Sequence, residues 1–117
     1  MTRPVHFEIL ADDPEKISGF YRELFGWEVA AWNGPQAYWM VKTGPADRPG
    51  IDGGIMHRHF PQAVINTLFV ESLDEMIAKV EAAGGKKVHG PEKVEGVGMH
   101  AYCADPEGNM FGMMEAE

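Results

Sequence analysis

The chain has little cysteine, few basic residues and no long apolar run. A single Cys103 cannot close an internal disulfide, so a disulfide-stapled scaffold is excluded and nothing points to an oxidising compartment. Lys and Arg number 10 against 18 Asp and Glu, a formal net charge of −8. Nucleic-acid binders draw their affinity from basic patches set against phosphates, so this balance argues against a polyanion partner. No stretch approaches the ~18 apolar residues that a membrane span requires, and Met1–Leu10 lacks the apolar core of a secretory signal. The expectation is a cytoplasmic protein with neither membrane nor nucleic acid as partner. No nucleophile elbow and no phosphate-cradling glycine loop is present. Gly96-Val97-Gly98 lacks the strand-then-helix setting of a dinucleotide fingerprint.

What the chain does have is a repeat. Displaced by 59 residues, Val5 falls on Val64, Ile9 on Leu68, Asp13 on Ser72, Gly26 on Gly85, Val29 on Val88 and Gly53 on Gly112. With 117 residues, 44% of them hydrophobic, this reads as one domain made of a duplicated module, residues 1–59 and 60–117. Two related half-sheets then enclose a shared cleft, the natural place for a ligand.

Each module reads β-α-β-β-β. In the first, Val5–Leu10 alternates as a half-buried strand. Asp13 and Pro14 open a helix whose apolar stripe is Ile17, Phe20, Tyr21 and Leu24, and Gly26 closes it. Strands follow over 27–32, 36–43 (rich in aromatics) and 51–58. In the second, 64–70 is a strand, and Ser72 with Glu75 forms a capping box. Leu73, Met76, Ile77 and Val80 make the helical stripe, and strands follow over 86–89, 98–104 and 110–115. Asp105-Pro106-Glu107-Gly108-Asn109 is a turn, with Asp105 as its cap.

Strand phase decides which residues can carry chemistry. Each helix must cover one sheet face. Val5, Phe7 and Ile9 suit that face, leaving His6, Glu8 and Leu10 on the other. By the repeat, Ile65, Thr67 and Phe69 join them, with Gly53, Ile55 and His57 and with Met110, Gly112 and Met114. His6 and Glu8 are an unusual ionisable pair for a plain core and offer a polar anchor or an acid/base pair. Met110 and Met114, near Ile65 and Phe69, supply an apolar, adaptable wall. The candidate ligand-binding set is therefore His6, Glu8, Ile55, His57, Ile65, Thr67, Phe69, Met110 and Met114.

Other candidates read as structural. His57-x-His59 is a solvated strand end, His89 a loop residue before Gly90-Pro91, and His100 a surface or cleft-edge residue. Cys103 has no activating cation nearby in sequence and reads as a buried, inert thiol. Met76 and Met113 read as core filler.

Residues 6–27, HFEILADDPEKISGFYRELFGW, and the closing DPEGNMFG at 105–112 resemble the vicinal oxygen chelate superfamily, which includes glyoxalase I, extradiol dioxygenases, bleomycin resistance proteins and methylmalonyl-CoA epimerase. The resemblance spans essentially the whole chain. It implies an α+β fold of two paired βαβββ modules forming a cupped mixed sheet around a central cleft. It also implies a homodimer.

The metal-dependent members hold a divalent ion with a His or Gln on the first strand of each module and a Glu on the last. Carried over position by position, these fall on His6, on Ile65, on Gly53 or Gly54, and on Gly112. Only His6 has a donor atom, and a catalytic zinc site needs about three protein ligands. The reading this favours is a small-molecule-binding protein with no metal and no cofactor. Two alternatives stay open. One is a metal-dependent lyase, epimerase or dioxygenase using His6, with Glu8 and His57 assembling a non-standard site. The other is an interaction or regulatory protein whose cleft is vestigial.

Overall fold

Asp13 and Ser72 start the two helices as expected, each by accepting a backbone N–H three residues on, from Lys16 at 3.2 Å and from Glu75 at 3.3 Å. The computed structural model describes residues 1–117 as β1 (Pro4–Ala11), α1 (Pro14–Phe25), β2 (Glu28–Ala31), β3 (Tyr38–Lys42), β4 (Gly53–His57), β5 (Val64–Phe69), α2 (Leu73–Ala82), β6 (Lys86–Val94), β7 (Gly98–Ala104) and β8 (Met110–Ala116). The α+β class and the twice-repeated β-α-β-β-β order are thus present. The chain divides into two units, His6–Ile65 and Met1–Val5 with Asn66–Glu117.

In the first unit the strand order is β2-β3-β4-β1. β1 runs parallel to β4, while β3 is antiparallel to both β4 and β2. α1 covers one face, over a core of Ala11, Val29, Val41 and Ile55 with Phe7, Ile9, Ile17, Tyr21, Trp27 and Trp39 against it. Tyr21 stacks on Trp27 with centroids 5.0 Å apart and planes 4° from parallel, and Arg22 donates twice to the Val29 carbonyl, tying the helix to β2. Gly26 ends the helix at φ 72°, a left-handed turn that a side chain resists.

The expected α1 stripe is half right. Ile17 and Tyr21 pack inward, but Phe20 and Leu24 are 53% and 59% exposed, and Pro14 and Ser18 are the buried positions instead. The helix is rotated about its axis so that Ser18, whose hydroxyl is satisfied by the Pro14 carbonyl at 2.7 Å, faces the sheet. A small residue there lets the helix sit close.

The second unit repeats the pattern with order β5-β8-β7-β6. β5 is parallel to β8, and β7 is antiparallel to both β8 and β6. α2 lays Leu73 and Ile77 over Val70, Ala101, Cys103 and Met113, with Met76 packed alongside. The Glu115 carboxylate accepts from the Leu73 N–H at 2.7 Å and so caps the free donors at the helix start. β6 is longer than the sequence suggests: it continues through His89 to Val94, with register irregularities on either side of His89, so His89 is a strand residue bonded to Glu92 at 3.1 Å. The Gly90-Pro91 signal that reads as a loop is absorbed by this irregular strand. Cys103 is fully buried, and burial, with the Glu81 carboxylate adding to it, pushes its thiol pKa up, as suits an inert core residue.

Candidate functional site

Strand pairing fixes which side chains share a face. On β1, Phe7, Ile9 and Ala11 face α1, which leaves His6, Glu8 and Leu10 on the helix-free face. Glu8 pairs with Gly54 and Leu10 with Met56, so β4 presents Gly54 and Met56 to that face. β3 adds Tyr38, opposite Met56, and Met40, opposite Gly54.

This corrects the sequence reading of β4 by one residue. Ile55 is fully buried in the core beneath α1, and His57, paired with Ala11, stands on the same helix-covered side with its ring 5.9 Å from Trp39. Neither joins His6 and Glu8, so the three-ligand site of His6, Glu8 and His57 does not assemble. The error has a simple source. Thr67 stands 59 residues after Glu8, but the glycine paired with Thr67 is Gly112, which stands only 58 after Gly54. One residue is lost between first and last strands of the second module, and a single residue inverts a strand's faces.

The first-unit group is built around an imidazole–phenol bond. His6 Nε2 lies 2.8 Å from the Tyr38 hydroxyl. A Cβ placed on Gly54 would collide with that hydroxyl and with the Tyr38 ring, so the glycine is what lets the ring lie across β4. Glu8, two residues along β1, is 6% exposed. Burial lowers the His6 pKa below its ordinary 6.5, and the Glu8 and Asp52 carboxylates pull it back only in part. The imidazole is therefore neutral at neutral pH, with one ring nitrogen free to accept a proton. Sequence spacing alone does not single out Tyr38. The available signal was the alternation of Tyr38, Met40 and Lys42 in the aromatic-rich strand, which puts them on one face once the phase of β4 is known. A cavity of about 220 Å³ lies in the 43–52 loop, lined by Thr43, Pro45, Arg48 and Asp52 among others.

In the second unit Leu68, Val70, Phe111 and Met113 face α2, and the helix-free face carries Thr67, Phe69, Met110, Gly112 and Met114. Here the expected phase is the observed one. Ile65, at the start of the same strand face, is fully buried. β7 contributes His100, opposite Met114, and Tyr102, opposite Gly112, their rings 4.5 Å apart and edge-on. A Cβ on Gly112 would sit 2.8 Å from the Thr67 hydroxyl oxygen and 2.9 Å from His100 Nε2.

A family model for the glyoxalase-like domain matches residues 5–114. The chain belongs to that family. This glyoxalase-like domain is 30% identical, over 92% of its length, to "Putative glyoxylase CFP32" of Mycobacterium bovis and of Mycobacterium tuberculosis. It spans 42% of the length of those relatives. Among solved structures it is similar to a hypothetical protein of Bacillus halodurans (TM-score 0.72, 13% identity, covering 99% of this chain and 95% of that one). It is similar also to methylmalonyl-CoA epimerase of Mycobacterium tuberculosis (TM-score 0.71, 12% identity, 97% and 87% covered). A Streptomyces coelicolor methylmalonyl-CoA epimerase variant in complex with 2-nitronate-propionyl-CoA is a third such structure (TM-score 0.72, 15% identity, 99% and 98% covered). At these identities the likeness establishes the fold, which is the α+β fold expected. No helix of the domain is long and apolar enough to cross a membrane.

The metal ion used by part of the superfamily does not fit the side chains present. The last-strand position of the first module is now fixed as Gly54, since Gly53 turns toward Phe7 on the helix side. Ile65, Gly54 and Gly112 have no donor atom, and His6 Nε2 is already bonded to Tyr38. No group of three or more His, Cys, Asp or Glu side chains is gathered in a metal-holding arrangement.

Proposed function

We propose that this domain binds a small, partly apolar molecule against the face carrying His6, Glu8 and Tyr38, and that it does so without a metal ion. The observation that carries the reading is the His6–Tyr38 hydrogen bond above Gly54. The imidazole that would ligate a metal is engaged by a phenol, and the phenol fills the space where the metal-dependent members place a carboxylate. Phenol, imidazole and carboxylate side by side supply a donor, an acceptor and a fixed negative charge, while Met40 and Met56 on the same face supply apolar contact. Thr67, Phe69, Met110 and Met114 of the second unit, and Ile65 at the end of the first, fit the same role. The resemblance extends the proposal to a homodimer in the cytoplasm, the first part of which sedimentation equilibrium reads directly.

A second reading has its own support. A half-buried, neutral His6 bonded to a phenol is a competent general base, and its partner a general acid, for moving a proton on a bound substrate. That would make the domain a lyase- or epimerase-like enzyme working by proton transfer alone. A metal-dependent version of it lacks its donors.

Native mass spectrometry of protein purified without chelator tests the main reading. The expected result is a retained organic molecule that is lost in both His6→Ala and Glu8→Gln while the circular dichroism spectrum stays unchanged. Full retention in both variants would remove these residues from the site.

A further inference from the structure

The loop between β3 and β4 encloses a cavity lined by two opposite charges that are not bonded to each other. Its volume of about 220 Å³ is small for a drug-sized ligand and ample for a molecule the size of an amino acid. One carboxylate and one guanidinium line it, from Asp52 and Arg48. Asp52 Oδ1 accepts from the Thr43 N–H at 2.9 Å and from the Thr43 hydroxyl at 3.3 Å, which closes the neck of the loop and leaves Oδ2 without a partner. The Arg48 backbone N–H donates to the Pro45 carbonyl at 3.2 Å, while its guanidinium makes no hydrogen bond and no ion pair. The loop itself is stiff. Pro45 and Pro49 have φ fixed by their rings, and Gly50 stands at φ 147°, a conformation that side chains rarely adopt. The cavity is thus shaped before any occupant arrives, which spares the occupant the cost of ordering it.

We infer that this cavity is a second binding site, for a small zwitterion of the α-amino acid type, with its carboxylate on Arg48 and its ammonium on Asp52. An anion alone would face the Asp52 carboxylate and a chain of net charge −8, and a cation alone would face Arg48. A zwitterion answers both. The planar fork of arginine matches a carboxylate, and an ammonium brings three donors to the free Asp52 oxygen and its surroundings. Pro45, Ala46 and Pro49 supply apolar lining for a short aliphatic side chain. Both charged residues are exposed, so water competes with the occupant and the affinity is on the order of millimolar. Of the residues that line the cavity, only Asp52 touches the account of His6, through the pull of its carboxylate on that imidazole.

L-Valine is a suitable probe, with isobutylamine and isovalerate as controls that each lack one of its charged groups. Titrated into the full chain and followed on the backbone amide resonances of Thr43, Gly44, Gly50 and Asp52, L-valine is expected to give saturable shifts. Each control binds roughly 3- to 5-fold more weakly, as do Arg48→Gln and Asp52→Asn with L-valine, the loss of one exposed charge pair. Asparagine at position 52 keeps an oxygen for the Thr43 N–H, so the loop stays closed, and Arg48→Lys retains part of the affinity. The melting temperature of Arg48→Gln equals that of the parent, because the side chain has no partner to lose. No saturable shift, or an affinity unchanged in Arg48→Gln or in Asp52→Asn, overturns the proposal. Isovalerate binding as tightly as L-valine would reveal a plain anion site, and isobutylamine doing so a plain cation site; either result overturns it as well. Because the signals are read within the 43–52 loop, a negative result for ligand retention by His6 and Glu8 leaves this site standing, and the reverse.

Discussion

The two halves of the duplicated module keep the same backbone and put different chemistry on it. At matching register the first unit has Glu8 beside Gly54 and the second has Thr67 beside Gly112. A ring from the neighbouring strand reaches over each glycine, Tyr38 in one and His100 in the other. In the first unit that ring is bonded to the first-strand imidazole, next to a buried carboxylate. In the second module the first-strand position is Ile65, which has no polar atom, and the residue paired with the glycine, Thr67, keeps a buried hydroxyl without a partner. The scaffold conserves the spaces between strands. What fills those spaces is free to change, which is how one fold supports many activities.

The largest expected effect separates core from site. Ile55→Ala removes a fully buried side chain from beneath α1 and should cost about 2–5 kcal/mol in urea denaturation. Had Ile55 been a ligand contact, binding would suffer first and stability little. Next come the paired glycines. Gly54→Ala drives a methyl into the Tyr38 hydroxyl and ring, and the expected loss is about 1–3 kcal/mol, largely relieved in a Tyr38→Ala background. Gly112→Ala meets Thr67 and His100 at 2.8–2.9 Å and should cost less, because a histidine on the next strand can turn aside. Equal losses would mean the two glycines are held by the backbone and not by the rings. Tyr38→Phe removes only the hydroxyl, about 0.5–1.5 kcal/mol by the same assay.

The His6 pair also sets a pH dependence. Its folded pKa lies below the ordinary 6.5, so the unfolded chain takes up a proton there first as acid is added. The contribution is therefore undiminished above 6.5, falls as pH drops through the interval between the unfolded and folded values, and then levels off. Thermal melts of the parent and His6→Gln should diverge in slope across that interval and run parallel above it. The smallest effect is expected on the outer face of α1. Phe20→Ser should stay within about 0.5 kcal/mol of the parent, because that ring is 53% exposed despite its helical spacing with Ile17.

That last position shows how much the sequence could reveal. The caps at Asp13 and Ser72, the phases of β1, β5 and β8 and the burial of Cys103 and Met113 follow from local chemistry and simple alternation. The α1 stripe misleads because Phe20 and Leu24 are apolar at the right spacing, while the residue that faces the sheet is Ser18, which satisfies itself on Pro14. A constant repeat distance assigns β4 the wrong phase. Register is set by pairing with β1, and one missing residue elsewhere in the loop system reverses it. Tyr38 and His100 stayed hidden for a related reason. Each reaches a glycine from a neighbouring strand, a relation between strands that no spacing along the chain expresses.

The claim on which the rest depends is that the His6 imidazole belongs to Tyr38 and not to a cation. Metal analysis of the chain, purified without chelator and again after dialysis against Zn²⁺, Ni²⁺ and Mn²⁺, addresses it directly. The account predicts well under one ion per chain in every case and no difference between the parent and His6→Ala. One tightly held ion per chain that disappears in His6→Ala would contradict it.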